Sequence, residues 1–390
     1  MQKVKINNDK MRGFKIKIYP TEDQKALIDR HIELFRYVYN WGLSRSIEYY
    51  AENKEYIGIS KLYDELSKIR NENEWLQEIP LHSARIALNH LDNAYCNFFS
   101  YNKGFPKYKS KKYSSKTVHY RNESYAFNID KNSVRIPGFP RNERILCKSH
   151  NIPIDAKFYN CTIKFDGINY WLSVNIEIET PEVQSYELTG ESLGIDLGIR
   201  KFAHLSNGKI YRSPKILKTL TKRQSNQQKR LSKMRERRIE EAIKTKTKLE
   251  DIPYTKNEAK LKDQNTKLKI RIKNIRRSFL HQTTSEIVHT YPSRIIIEDL
   301  NVTEMVQSNF NNRDEVFHSM WYKFREYITY KSKYLGIDLV VADKAFPSSQ
   351  ICSRCGYVKK SSYTEYICPI CGLRIDRDLN AAINLSKYMA

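Results

Sequence analysis

The chain contains 390 residues, enough for two or three domains with hydrophobic cores of their own. Lys and Arg total 68 against 44 Asp and Glu, so the formal net charge is +24 at pH 7, and this excess indicates a polyanionic partner. No stretch is apolar enough to cross a membrane and no secretory leader is recognisable, which argues against membrane partners and predicts a cytoplasmic protein.

The first third of the sequence has one strand signal followed by helical signals. Residues 14–18 alternate apolar and basic side chains, as in a half-exposed strand. Thr21 and Gln24 form a capping box, which predicts a helix from there to about Tyr50. Further helical patterns lie at residues 60–71 and 81–99.

A basic segment, GFPKYKSKK (residues 104–112), separates these helices from a region of strand signals. Its aromatic residues are interleaved with the candidate nucleic-acid contacts Lys107, Lys109 and Lys111. The alternative is a solvated charged surface. Beyond it, CTIKFDG and INYWLSVNIEIE predict two strands joined at Asp166 and Gly167.

The C-terminal half alternates between strand and helix signals. The expected elements, in order, are a buried strand SLGIDLGI (192–199), a hairpin at Asn207-Gly208, a basic helical region at 215–289 broken at 251–254, a strand SRIIIEDL (293–300), a helix at 314–335, a strand at 337–346 and a helix at 379–388. Three strands in a meander followed by helix, strand, helix, strand, helix is the topology of an RNase H-like α/β fold.

Three acids fall on this topology where a metal-dependent nuclease needs them. Asp196 lies in the first strand, Glu298 at the end of the fourth, and Asp378 at the start of the final helix. Carboxylates converging at one sheet edge could hold two Mg²⁺ or Mn²⁺ ions for phosphodiester hydrolysis. Taken singly, Glu298 could be a polar strand end and Asp378 a helix-dipole acid. Asp376 is the alternative to Asp378.

Two Cys-x-x-Cys pairs near the C-terminus predict a structural zinc site. The four expected ligands are Cys352, Cys355, Cys368 and Cys371. Four thiolates leave no open coordination position, so the ion should stabilise folding rather than perform chemistry. Disulfides or a redox-active pair are the alternative. We expect the remaining cysteines to be buried thiols, namely Cys96, Cys147 and Cys161.

The segment from Lys215 to Arg238 carries ten Lys or Arg residues and one acid, Glu236. A helix of this charge could neutralise several phosphates of a nucleic-acid duplex. The alternative is a solvated helical arm. The candidate contacts on it are Lys222, Arg223 and Arg230.

The motifs GIDLGIRKFA, IIIEDLNVTEM, FPSSQICSRCG and CPICGLRIDRDLNAAINL resemble the three RuvC motifs and the zinc ribbon of the transposon-encoded TnpB family, relatives of type V CRISPR effectors. The segments FKIKIYPTEDQKALI, FRYVYNWGL and GFPKYKSKK resemble that family's N-terminal signatures. The resemblance implies an RNA-guided DNA endonuclease, in which guide RNA pairs with one strand of double-stranded target DNA. It also implies that Asp196, Glu298 and Asp378 are the catalytic, Mg²⁺-binding acids.

The resemblance further implies a domain order. A wedge β-barrel would comprise residues 1–19 and 117–187, a helical recognition lobe residues 20–116, a RuvC nuclease domain residues 188–346 and 375–390, and a zinc ribbon residues 347–374. The protein would act as a monomer with one RNA. The family reads a short DNA motif beside the target with its inserted lobe, and the corresponding positions here are Tyr63, His82, Arg85 and Asn122.

Three other functions stay open on the sequence alone. A guide-directed repressor would bind DNA without cutting it, although the intact acids argue against this. A compact CRISPR effector would take its guide from a CRISPR array instead of a transposon end. A strand-transferring transposase would need further DNA-end binding domains and a different order of acids.

Overall fold

The computed structural model describes residues 3–4, 11–101, 103–111, 115–121, 127–150, 152, 157–177, 186–198, 201–299, 320–359 and 364–389. The chain divides into an N-terminal unit, residues 9–181, and a C-terminal unit, residues 1–8 with 182–390. None of the helices in these described ranges is long and apolar enough to cross a membrane.

The N-terminal unit combines four helices with one sheet in its described residues. Its helices are α1 (Glu22–Asn53), α2 (Ile59–Glu72), α3 (Glu74–Gln77) and α4 (Leu81–Tyr101). Its strands are β2 (Met11–Tyr19), β3 (Thr117–Arg121), β4 (Asn128–Ile129), β5 (Ser133–Arg135), β6 (Ile145–Cys147), β7 (Lys157–Phe165) and β8 (Tyr170–Glu177).

The seven strands form a curled half-barrel in the order β3-β7-β8-β2-β6-β5-β4. The capping box starts α1 as the sequence predicts: Thr21 N donates to Gln24 Oε1 at 3.1 Å, and Gln24 N donates to Thr21 Oγ1 at 3.3 Å. Apolar residues of α1, α2, α4 and the sheet share one core, so the helices between β2 and β3 fold onto this sheet.

The C-terminal unit contains a second sheet flanked by helices. Its strands are β1 (Lys3–Val4), β9 (Tyr186–Glu187), β10 (Ser192–Leu197), β11 (Ala203–Leu205), β12 (Ile210–Tyr211), β13 (Arg294–Glu298), β14 (Asp338–Ala342), β15 (Glu365–Ile367) and β16 (Arg374–Asp376). Its helices are α5 (Ile216–Lys244), α6 (Lys256–Val288), α7 (Trp321–Tyr334) and α8 (Arg377–Ser386).

Five of these strands form a mixed sheet in the order β12-β11-β10-β13-β14. The first three are antiparallel, with Gly208 at φ 85° in the hairpin turn, and β10, β13 and β14 are parallel. The order of strands and helices agrees with that expected from the sequence. The helix expected at 314–335 begins at Trp321, and residues 314–319 lie outside the described ranges.

Helices α5 and α6 form a long hairpin whose far end is fixed by a buried ion pair. Arg238 Nη1 lies 3.3 Å from Glu258 Oε1, and its other terminal nitrogen donates to the Leu249 carbonyl at 3.1 Å. The Arg238 guanidinium also lies 4.0 Å from the centroid of the Tyr254 ring. Loss of either partner would leave the other charge buried and unpaired, which is the costly case for a buried ion pair.

Candidate active site and four-cysteine centre

Asp196 and Glu298 lie on adjacent parallel strands at the same edge of the sheet. Ile195 of β10 is in register with Ile297 of β13, so the next residue of each strand is an acid. The residues before them are apolar and buried, which fixes both strands in the core of the C-terminal unit. The carboxyl ends of parallel strands are where ligands bind in open α/β sheets.

Helix α8 brings Asp378 to this edge because it lies directly against β10. A Cβ on Gly194 would lie 2.0 Å from the Ala382 carbonyl oxygen and 2.4 Å from Ser386 N, so only glycine fits at this crossing. The close approach sets the height of α8 above the sheet. Asp378, in the first turn of α8, is positioned by this crossing.

Asp196 has the most strongly perturbed carboxyl group of the site. Burial raises its pKa well above the usual range, and the negative charges of Glu298 and Asp378 raise it further. Burial also raises the pKa of Glu298, against a hydrogen bond from Ser348 that lowers it. Burial and two neighbouring acids therefore disfavour the ionised form of Asp196, and a cation bound beside it would relieve that cost.

A second group of side chains borders the acids. His204 lies opposite Asp196 in the register of β10 and β11. His204, Asp376 and Asp378 bring their ligand atoms within 4.8 Å of one another. Lys201 Nζ donates to Asp376 and lies 3.5 Å from Asp378 Oδ2. Burial lowers the pKa of His204, so its ring is neutral at neutral pH.

Asp376 has a structural role in this arrangement. Its carboxylate caps α8, accepting from Asp378 N at 3.1 Å and Leu379 N at 3.2 Å. Since these bonds hold one oxygen and Lys201 holds the other, the carboxyl group of Asp378 is the better placed of the two for a ligand.

A buried polar network connects the cysteine segment to the acids. Ser348 Oγ donates to Glu298 Oε1, and the Ser348 carbonyl accepts from Asn384 Nδ2 at 2.7 Å. The Ile351 carbonyl accepts from both Asn380 and Asn384 at 2.6 Å. These asparagines of α8 are buried, and we call them the asparagine clamp. The clamp therefore holds the loop that orients Glu298.

The four predicted zinc ligands converge at one point. The thiols of Cys352, Cys355, Cys368 and Cys371 all lie within 4.8 Å of one another. Cys352 Sγ is 3.6 Å from Cys371 Sγ, and Cys355 Sγ is 3.5 Å from Cys368 Sγ. A tetrahedron with Zn–S bonds of about 2.3 Å has sulfur separations of about 3.8 Å. The cluster is thus consistent with a zinc ribbon.

The other cysteines only partly follow the sequence expectation. Cys147 and Cys161 are buried, as expected. The expectation is wrong for Cys96, which is exposed, because it lies on the solvent-facing side of α4. Burial raises the pKa of Cys161 strongly, as befits a packed and unreactive thiol.

The three cationic candidates of α5 lie together. Lys222, Arg223 and Arg230 are exposed and line one groove of the α5–α6 hairpin, with a volume of about 440 Å³. We call them the α5 cations. In the described part of the chain none of them forms an ion pair with a carboxylate, so their charge is available to an external anion.

The residues proposed to read a DNA motif are brought together in part. The Arg85 guanidinium of α4 lies 5.3 Å from the centroid of the Tyr63 ring of α2, and the Tyr63 hydroxyl donates to Asn89. His82 lies three residues before Arg85 on α4 and is half-buried. Asn122 lies outside the described residues.

The basic segment before β3 presents its three lysines differently. Lys107 is exposed, and Lys111 is exposed and pairs with Glu33. Lys109 is half-buried, with its backbone held by Asn40. The segment is therefore not a uniformly solvated surface.

Sequence reasoning missed Lys201, His204 and Ser348. His204 could have been found, because the predicted three-strand meander pairs the strand before Asn207 with the Asp196 strand. The hydrogen bond between Ser348 and Glu298 joins residues far apart in the chain and has no local sequence signal.

Three family models match the chain. One described as "Probable transposase" (OrfB_IS605) matches residues 173–309, one described as "Cas12f1-like, TNB domain" matches residues 321–385, and a helix-turn-helix model matches residues 11–55. In the last region the structure has one strand and a single long helix. By these matches the chain is similar to the TnpB/OrfB_IS605 transposase family, and its residues 321–385 are similar to a Cas12f-like TNB domain.

Curated relatives match over nearly the whole chain. A Streptomyces pristinaespiralis protein named "Putative RNA-guided DNA endonuclease" is 28% identical, with 99% of this chain and 89% of the relative covered. InsQ of Escherichia coli K12, which bears the same description, is 25% identical, with 96% and 92% covered. TnpB-like protein L79 of Acanthamoeba polyphaga mimivirus is 23% identical, with 96% and 72% covered.

Among solved structures, the chain is similar to Cas12f1 in a cryo-EM complex with sgRNA and target DNA. The TM-score is 0.60 at 14% identity, with 94% of this chain and 83% of Cas12f1 covered. This likeness establishes a Cas12f-like mixed α/β fold.

Proposed function

We propose that this protein is an RNA-guided DNA endonuclease of a transposon. The observation that carries the proposal is that Asp196 and Glu298 end adjacent parallel strands, with Asp378 near enough for its charge, like that of Glu298, to raise the pKa of Asp196. The names of the curated relatives and the Cas12f-like fold support the same activity.

The strand order and the acids support an RNase H-like RuvC domain formed by residues 188–346 and 375–390, with the zinc ribbon at 347–374 inserted. The half-barrel sheet supports a wedge domain of residues 1–19 and 117–187, although strands β1 and β9 within these bounds pair with each other in the C-terminal unit. Helices α1 to α4, between β2 and β3, support a recognition lobe of residues 20–116.

The site has the donor set that magnesium prefers. Its carboxylate oxygens come from two strand ends and one helix start, and a divalent cation would offset the unfavourable ionisation of Asp196 among them. Bound Mg²⁺ ions, or Mn²⁺, would supply charge neutralisation at phosphate and activation of water. Asp196, Glu298 and Asp378 would hold them, and Ser348 would orient Glu298.

Nucleic-acid binding would use other surfaces of the chain. The α5 cations suit phosphate contacts without sequence readout. Tyr63, His82, Arg85 and Asn122 are the proposed readers of a short DNA motif, while base pairing of one guide RNA with the target strand supplies sequence specificity. RNA-guided nucleases of the Cas9 type divide recognition in the same way, because their protein reads only a short motif in the duplex. The protein would act as a monomer with one RNA.

The first experiment is to express the protein with its flanking genomic DNA and to sequence the RNA that co-purifies. We expect a discrete RNA that ends in a variable segment. An RNA encoded at a transposon end would indicate the transposon nuclease, and an RNA encoded in a CRISPR array would indicate the compact CRISPR effector. Folded protein purified free of RNA would refute guided function and favour a protein-directed nuclease or transposase.

The second experiment tests the acids. Asp196→Ala should abolish cleavage of matched DNA and leave guide-directed binding intact, because Asp196 is needed only for the metal-dependent step. The exposed Asp263→Ala on α6 is the control and should cleave normally. An Asp196→Ala protein that still cuts would contradict the assignment, and wild-type binding without cutting would favour the repressor.

A further inference from the structure

A cavity of about 650 Å³ lies within the N-terminal unit, which contains none of the three acids. Its walls come from α1, α4, β3 and the basic segment that precedes β3. The volume is within the range of about 300–1,000 Å³ found for small-ligand sites. Two of its lining residues, Lys109 and Lys111, are among the nucleic-acid contacts expected from the sequence, and the function proposed above gives the cavity itself no role.

One wall of the cavity presents a half-buried cation. Asn40 fixes the backbone of Lys109 from both sides, donating to its carbonyl at 2.9 Å and accepting from its N–H at 2.8 Å. Lys109 Nζ then lies 3.6 Å from the centroid of the Tyr39 ring. Burial lowers the pKa of Lys109 to about 8. In the described ranges no carboxylate pairs with it, so an anion would be a favourable neighbour.

The adjoining wall is a cluster of three rings. The His90 and His119 centroids are 4.7 Å apart, and the Phe35 centroid is 5.5 Å from His90 and 5.4 Å from His119. Burial lowers the pKa of His119 to about 4, so its ring is neutral at neutral pH. Neutral flat rings beside a cation suit a ligand with both a planar ring and a negative charge.

The cavity is also positively charged overall. Five cationic and two acidic side chains line it. Two of the cations are neutralised within the unit, because Lys111 pairs with Glu33 and Arg30 with Glu78. Arg36 and Lys116 add to the charge of Lys109. The net positive charge of the cavity therefore disfavours a cationic ligand and favours a phosphate.

We propose that this cavity binds one nucleotide unit of a nucleic-acid strand, with its phosphate at Lys109 and Arg36 and its base against Phe35, His90 and His119. An acidic peptide would satisfy the lysine but leave the ring cluster unused. The inference rests on the proposed function only in that it takes RNA or DNA as the partner. It does not depend on cleavage.

The test uses full-length protein with ¹³C-labelled histidine, whose nine side chains are few enough to resolve by NMR. Single His90→Gln and His119→Gln variants assign the two signals. Adenosine 5′-monophosphate, its 2′-deoxy form, adenosine and inorganic phosphate are titrated separately. We expect the monophosphates to shift both signals saturably, and adenosine or phosphate alone to bind more weakly.

Lys109→Gln should weaken monophosphate binding about tenfold or more, as expected for a lost charge-assisted contact. Arg36→Gln gives a second measure if Lys109→Gln misfolds. Lys103→Gln, an exposed change in the same loop, is the matched control and should leave affinity unchanged. The proposal would be overturned if millimolar monophosphate left the His90 and His119 signals unshifted. It would also be overturned if Lys109→Gln and Arg36→Gln both bound the monophosphate with wild-type affinity.

The source of the nucleotide is identified in the loaded complex. Guide RNA containing 4-thiouridine, or target DNA containing 4-thiothymidine, is cross-linked by light and the attached peptides are found by mass spectrometry. A cross-link to the Phe35 or His119 peptide from RNA or from DNA supports the proposal and names the strand. Cross-links elsewhere only would overturn it. The titration remains readable if no RNA co-purifies, so the two proposals can fail separately.

Discussion

Substituting Gly194 by alanine should disable the site without touching an acid. The new Cβ would lie 2.0 Å from the Ala382 carbonyl oxygen, and real Cβ contacts are essentially never closer than 3.0 Å, so this contact must open by at least 1.0 Å. The atoms nearest the added Cβ all belong to the backbone of α8, so the clash cannot be relieved by rotating a side chain. Overpacking of this kind typically costs about 1–3 kcal/mol, and we expect about 3 kcal/mol here.

The same displacement moves the start of α8, which carries Asp378. A misplacement of about 1 Å in a reacting group can cost about 10²-fold in rate. Single-turnover cleavage at saturating guide and target measures this loss, and urea unfolding measures the stability. Gly104→Ala is the control, because nothing lies within 4 Å of the added Cβ. Gly194→Ala protein with the wild-type rate and stability would refute the role of this crossing.

The other expected outcomes concern zinc, salt and pH. Cys352→Ser with Cys368→Ser should lose bound zinc, measured by elemental analysis, together with local folding and cleavage; full activity of metal-free protein would contradict a structural site. Neutralising the three α5 cations should reduce the slope of log affinity against log salt by roughly 0.9 for each lost phosphate contact, and an unchanged slope would indicate a solvated arm. Burial lowers the pKa of His31 from 6.5 to about 4, so the unfolded chain binds the proton more tightly and stability should fall by about 3 kcal/mol as pH drops from 6.5 to 4. Urea unfolding of His31→Gln should show a flatter pH dependence over that window.

Local signals in the sequence predicted the elements well. Thr21 and Gln24 specify the start of α1 through contacts three residues apart, and Asn207-Gly208 specifies a tight hairpin through the backbone freedom of Gly208. The order of elements then limits the sheet to few topologies, because parallel neighbours need a crossover helix. This is why Asp196 and Glu298 could be expected on one edge from the sequence alone.

Long-range polar contacts could not be predicted in this way. Lys201 reaches Asp376 across 175 positions of the chain, and Ser348 reaches Glu298 across 50. Such pairs depend on how loops lie over the sheet, and one side chain among many serines or lysines carries no periodic signal. The half-burial of Lys109 also depends on a long-range contact. Asn40 hydrogen-bonds the backbone of Lys109, in a segment whose sequence shows only a basic composition.

Asp376 ends β16 of the cysteine segment and also caps α8, so no linker separates the four-cysteine centre from the helix that carries Asp378. The asparagine clamp adds a second, noncovalent connection between the same parts. If the acids bind magnesium as proposed, these connections offer a route by which the two sites could influence one another. Any gain in magnesium affinity that zinc then produced would be matched by an equal gain in zinc affinity on binding magnesium.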